Sequence, residues 1–183
     1  GTWYEAHISC PEYEMYGYYL AGTPFPLLGH NRNYAYGLTM FENDDADLFQ
    51  EENNPKNENQ YKTVAGFENY KIRTKTIKVK DSTSVILKIK ETQHGPIIND
   101  LIADFKTQKP VSFSWIYTQQ PNKILDAVYG LSRANNIEEF QKSVSYIVAP
   151  GLNIMYGDAK NNIAWFTSGK LYKFVITSCL ITF

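Results

Sequence analysis

Strand-like runs recur along this chain, and the clearest of them alternate apolar and polar residues with a period of two, the pattern of strands with one face turned to a core. Residues 3–9 alternate bulky and small side chains and run into Cys10-Pro11, a strand followed by a turn. Residues 15–21 are aromatic and β-prone and are closed by Gly22-Thr23-Pro24, and residues 33–40 predict a third strand. Two further period-two runs, 71–79 and 84–92, flank Lys80-Asp81-Ser82-Thr83 and predict a hairpin. His94-Gly95-Pro96 turns into a short apolar run, residues 111–118 read as another strand, and residues 149–158 and 161–166 read as a strand, an Asp/Asn turn and a returning strand. Helical periodicity appears only at 125–134 and 137–147, with Asn136 placed to cap the second helix and Glu138 and Glu139 in its first turn. The polar stretch 51–60, rich in Asn and Glu, predicts an exposed loop or insertion. Many antiparallel strands around a helix pair near 123–147 place the chain in the α+β class.

Composition narrows this picture. The 183 residues suffice for one domain with a real core, and length argues against two. Fourteen tyrosines within 15% aromatics suit sheets and clefts more than helical bundles. A net charge of -1 gives no footprint for nucleic acid or for an anionic membrane, and no apolar run reaches transmembrane length. The densest cations, between Lys71 and Lys90, alternate with apolar residues and predict the solvated face of a half-buried strand pair. Cys10 and Cys179, near opposite ends, do not establish a disulfide or a redox compartment. Gly1-Thr2-Trp3-Tyr4-Glu5 has neither a basic nor an apolar leader region and begins inside a strand-like run, so a fragment of a longer protein is expected.

Candidate chemistry concentrates in Pro24 to Met40 and the acidic cluster Asn43-Asp44-Asp45-Ala46-Asp47. A strand ending in a turn can aim a backbone N–H into a cleft, and carboxylates just beyond can hold a hard cation. This layout predicts a wall of backbone donors, not a nucleophile. His7, His30 and His94 lack the Gly-x-Ser-x-Gly context of a serine nucleophile, and Cys10 before Pro11 reads as structural. A different class, a β-rich carbohydrate- or ligand-binding module with Tyr and Trp as a stacking surface, fits the same composition and predicts that Met40 and Asn153 lie far apart.

Five short motifs occur in order: Trp3-Tyr4-Glu5-Ala6-His7, Gly29-His30-Asn31, Asn43-Asp44-Asp45-Ala46-Asp47-Leu48-Phe49, Thr92-Gln93-His94-Gly95-Pro96 and Pro150-Gly151-Leu152-Asn153. Together they make the chain resemble, over residues 3–172, the β-chain of the penicillin acylase family of N-terminal-nucleophile amidohydrolases. The resemblance implies a piece of a four-layer αββα sandwich, periplasmic or secreted localisation and a role in antibiotic metabolism. It implies hydrolysis of N-acyl compounds by an N-terminal serine whose own α-amino group is the base. Gly1 is no such serine, so the fragment alone is expected to be inactive and to need an α-chain and the remainder of the β-chain as partners, with a small N-acyl molecule as substrate.

By the same resemblance the Met40 backbone N–H and the Asn153 side-chain amide form the oxyanion hole. The alternative for Asn153 is a turn residue bonding its neighbour's backbone. Leu28 and Leu38 fall on acyl-pocket positions, or are ordinary core leucines. Asp44, the Ala46 carbonyl and Asp47 fall on calcium-site positions, with the other ligands coming from elsewhere. The family domain is expected over residues 1–173. Beyond it, residues 174–183 are an atypical apolar tail, and Phe174 stands where relatives carry an arginine. Such a tail, with open sheet edges, predicts poor solubility of the isolated fragment.

Overall fold

A computed structural model describes residues 2–106 and 109–171, and the atypical tail and Cys179 lie outside the described residues. The chain opens with strands β1 (Trp3–Cys10), β2 (Tyr13–Leu20), β3 (Leu28–His30) and β4 (Tyr34–Met40). There follow β5 (Ala46–Gln50), β6 (Asn53–Asn54), β7 (Asn57–Thr63), β8 (Gly66–Asn69), β9 (Lys71–Ile77), β10 (Val85–Glu91), a turn of 3-10 helix at Ala103–Phe105, β11 (Val111–Trp115) and helix α1 (Ile116–Gln119). Helices α2 (Ile124–Arg133) and α3 (Ile137–Val144) lead into β12 (Leu152–Asp158) and β13 (Ile163–Ser168). The chain divides into two compact units, residues 1–45 with 120–183, and residues 46–119.

The first unit is a six-stranded antiparallel sheet in the order β1-β2-β3-β4-β12-β13. Period-two alternation sorts its residues by face. Met15 and Tyr19 of β2, Tyr34 and Tyr36 of β4, and Leu152, Ile154 and Tyr156 of β12 are buried. Against all of these but Tyr19 pack Ala127 and Leu131 of α2 and Phe140 and Val144 of α3. The buried tyrosines bring hydroxyls that need partners. Tyr34 Oη donates to the Leu131 carbonyl at 2.7 Å and Tyr36 Oη to the Pro26 carbonyl at 2.8 Å. Burial pushes both phenols well above the ordinary tyrosine range, so they stay neutral. The helix pair stands where the 3.6-residue period put it. Asn136 is the N-cap of α3, its side-chain oxygen accepting from Glu139 N at 2.8 Å. Asn31 builds the turn into β4 in the same way, accepting from the backbone N–H groups of Asn33 and Tyr34.

The second unit corrects three expectations. Residues 53–69 form a three-stranded meander, β6-β7-β8, where an exposed loop was expected at 51–60, and Glu51 is buried. Its amide side chains pair with one another: Asn54 Nδ2 donates to Gln60 Oε1 at 2.8 Å, and Gln60 Nε2 to Asn69 Oδ1 at 3.0 Å. Polar composition therefore coexists with a regular ladder. The hairpin of β9 and β10 forms in the expected place, Val85 opposite Ile77 and Glu91 opposite Lys71. It is not half-buried within these residues, since Ile72, Ile77, Val85, Ile86 and Leu87 are all exposed. The strand expected over 111–118 stops at Trp115, where α1 begins.

Candidate active site

Strand β12 pairs with β4 so that Leu152 faces Met40 and Asn153 faces Thr39. Phe41 N–H donates to the Gly151 carbonyl at 2.9 Å, which sets the phase of the ladder. Because hydrogen-bonded and non-bonded pairs alternate in an antiparallel ladder, the Met40 N–H and C=O face away from β12. The registered pairing of β3 with β4 covers only Tyr36 and Ala35, well short of Met40. The Asn153 side chain reaches across to this point, its Nδ2 donating to the Met40 carbonyl at 3.1 Å. It bonds a residue 113 positions away and not its own neighbours' backbone. The two residues singled out from the sequence thus meet at one end of β4.

Close packing of the segment after β4 fixes that register. A side chain on Gly151 would place its Cβ 2.0 Å from Asn43 Oδ1 and 2.4 Å from the Phe41 carbonyl oxygen, so only glycine fits. Asn43 Nδ2 in turn donates to the Lys170 carbonyl at 3.0 Å, tying the exit of β4 to the end of β13.

The family model for penicillin amidase matches residues 1–175. The chain belongs to the penicillin amidase family. It is 30% identical over 177 residues to an acyl-homoserine lactone acylase QuiP of Pseudomonas fluorescens, which covers 92% of this chain and 21% of that protein. The QuiP of Pseudomonas aeruginosa is likewise 30% identical, over 178 residues. The thermostable penicillin G acylase of Alcaligenes faecalis has the same fold over 92% of this chain and 30% of its own, with a TM-score of 0.77 at 24% identity. The chain therefore spans about a fifth of the length of the curated relatives it matches.

Other positions marked by the penicillin amidase resemblance are distributed differently. Leu28 lies opposite Tyr18, and Leu38 lies opposite Ile154 and packs against the buried core of the first unit. Gly29 pairs with Tyr36, so alternation puts Leu28 and Leu38 on opposite faces of the sheet, and the structure does not bring them together. Asp44 precedes β5, while Ala46 and Asp47 open it opposite Trp115 and Ser114. Two carboxylates and a carbonyl are the hard oxygen donors that calcium takes, but number half of its minimum of about six. Among the described residues no group of three or more His, Cys, Asp or Glu side chains gathers around one point.

The three histidines are engaged elsewhere. His7 Nε2 lies 3.3 Å from Glu14, and the His30 ring packs on Tyr16. His94 belongs to a cluster in the second unit that sequence reading missed. Glu51, only 5% exposed, accepts at one carboxylate oxygen from Ser112 Oγ at 2.6 Å, Thr92 Oγ1 at 2.8 Å and His94 Nδ1 at 2.9 Å. The His94 ring stacks on Phe49 at 4.1 Å, and Gly95, at φ +149°, lets the turn approach the Phe113 carbonyl. Burial pushes the Glu51 carboxyl up, but the bonds from Ser112, His94 and Thr92 outweigh it and hold it below the ordinary carboxylate range. The lowered folded-state value means the unfolded chain binds the proton more tightly. The stabilisation is thus complete above the ordinary carboxylate pKa and is lost as pH falls through the folded one. The expected result is a gap in urea midpoint between the wild type and Glu51→Gln that shrinks from about pH 6 to about pH 3. A gap independent of pH would show that the ionised form of Glu51 contributes nothing.

Proposed function

We propose that this chain is the part of a penicillin-amidase-family hydrolase that supplies the oxyanion donors for cleavage of a linear amide in an N-acyl compound. The observation that carries this is the meeting of Asn153 Nδ2 with the Met40 backbone at 3.1 Å. A stacking module for carbohydrate would leave those two positions far apart.

The reaction builds negative charge on the carbonyl oxygen as a serine Oγ bonds to the carbonyl carbon. By the family resemblance that serine is the first residue of a processed chain, and no residue among these 183 is assigned the role. The serine proton passes to its own α-amino group and then to the leaving amine as the C–N bond breaks. Water then attacks the acyl ester, releasing the acid and regenerating the serine. Two neutral donors, the Met40 N–H and the second hydrogen on Asn153 Nδ2, stabilise both tetrahedral states with no protonation step of their own. Calcium on Asp44, Ala46 and Asp47 would be structural, and its remaining ligands would come from outside this donor set. Leu28 is the better placed of the two leucines to meet an acyl chain, because Leu38 is taken up by the core.

The relatives named for acyl-homoserine lactones make an N-acyl homoserine lactone the first substrate to try. The full-length protein, incubated with N-decanoyl homoserine lactone and separately with phenylacetyl para-nitroanilide, is expected to release the free amine from at least one. Ring opening of the lactone with the amide intact would overturn the amidohydrolase reading.

A further inference from the structure

An asparagine can serve an oxyanion only in one of its two orientations. A half-turn of the amide exchanges Oδ1 for Nδ2 at almost no steric cost, and then presents an acceptor to the developing negative charge. The first unit contains a device that decides between the two. Trp165 Nε1 donates to Asn153 Oδ1 at 3.0 Å, while Asn153 Nδ2 donates to the Met40 carbonyl at 3.1 Å. An indole N–H can only donate and a carbonyl can only accept. In the turned amide, donor would face donor and acceptor would face acceptor.

We propose that Trp165 is a positioning residue, which locks the Asn153 amide with its nitrogen towards Met40 and leaves one amide hydrogen for the substrate's oxyanion. The inference rests on the reading of Asn153 as an oxyanion donor. The ladder provides the reach: Met155 lies opposite Trp165 and Asn153 opposite Thr167, so Asn153 and Trp165 are diagonal neighbours on the face away from the helices. Within these residues the tryptophan is 66% exposed, so the core of the first unit does not hold it. Met155 and Ile163 share that face and are also exposed within these residues.

The test is a double-mutant cycle in the full-length protein, read on whichever of the two amides above it hydrolyses. Trp165→Phe removes the N–H and keeps an aromatic ring, and kcat is expected to fall about tenfold with KM unchanged. On an Asn153→Ala background the same change is expected to alter kcat by less than about twofold, because no amide remains to orient. Replacing the indole of Trp165 with benzothiophene exchanges only N–H for S, and should reproduce the loss while keeping the shape of the side chain. Three results overturn the proposal: an unchanged kcat in Trp165→Phe and the benzothiophene form, a loss that persists undiminished without Asn153, or a loss confined to KM. Where Asn153→Ala lowers kcat and Trp165→Phe does not, the positioning role fails and the oxyanion reading stands. Where Asn153→Ala is fully active, both fall.

Discussion

Asn153→Ala is expected to lower kcat of the full-length protein by about a hundredfold to a thousandfold, or roughly 2.7–4 kcal/mol of barrier, with little change in KM. The split follows from when the bond matters. In the ground state the carbonyl oxygen carries only partial charge, so a donor aimed at the oxyanion adds little to binding and much to the transition state. The Met40 N–H is backbone and survives the substitution, so activity should fall but not vanish. Asn153→Asp sharpens the test because it nearly keeps the shape. It replaces the donor with an ionised oxygen beside the developing charge, and should lose at least as much as alanine. A structural role confined to holding the Met40 carbonyl would instead show as a lower unfolding midpoint with kcat intact. Single-turnover release of the amine, beside a urea melt of each variant, separates the two.

How far this could be read from residues alone depended on whether the relevant physics was local. Alternation located β1, β9 and β10, β-prone and turn-bounded runs located β2, β4, β12 and β13, and the 3.6-residue period located α2 and α3, because periodic patterns report which face is apolar. They do not report what covers that face, and the β9–β10 hairpin shows it: the alternation is present, yet its apolar residues are exposed. The segment at 51–60 failed for a different reason. Its Asn and Glu content reads as a loop signal, but in β6–β8 the amides of Asn54, Gln60 and Asn69 satisfy one another across strands, a pairing visible only once the register is known. Glu51 was hidden similarly, since its donors come from Thr92 and Ser112, 41 and 61 positions away. Met40 and Asn153 were singled out through the family motifs rather than through any local signal. Leu28 and Leu38 were grouped by the family resemblance, which carries no information on sheet faces. Once Gly29 is paired with Tyr36, the alternation separates them. The Trp165–Asn153 bond left no mark in the sequence.

Phe140→Ala is expected to cost about 3–5 kcal/mol of stability, the largest loss for any single truncation in the first unit. Phe140 of α3 is 0% exposed. Its ring centroid lies 4.8 Å from that of Tyr156, 5.5 Å from Tyr36, and 5.9 Å from both Tyr34 and Phe166. Truncation leaves a void that the neighbours cannot close cheaply. Tyr34 and Tyr36 are tethered through their hydroxyls to the Leu131 and Pro26 carbonyls, and moving either ring inward would strand a buried polar group. The cost should therefore fall in the upper half of that range, whereas Phe140→Leu, which refills most of the volume, should cost much less. The consequence reaches the candidate active site because Tyr36 and Tyr156 face each other on β4 and β12, the strands that carry Met40 and Asn153. A helix-side void loosens the ladder that holds Met40 and Asn153 together. Urea melts of both variants check the stability ordering. Amine release at a temperature where Phe140→Ala stays folded checks whether that ladder keeps its register, and a kcat near wild type there would mean that the register is set by Gly151 and Asn43 alone.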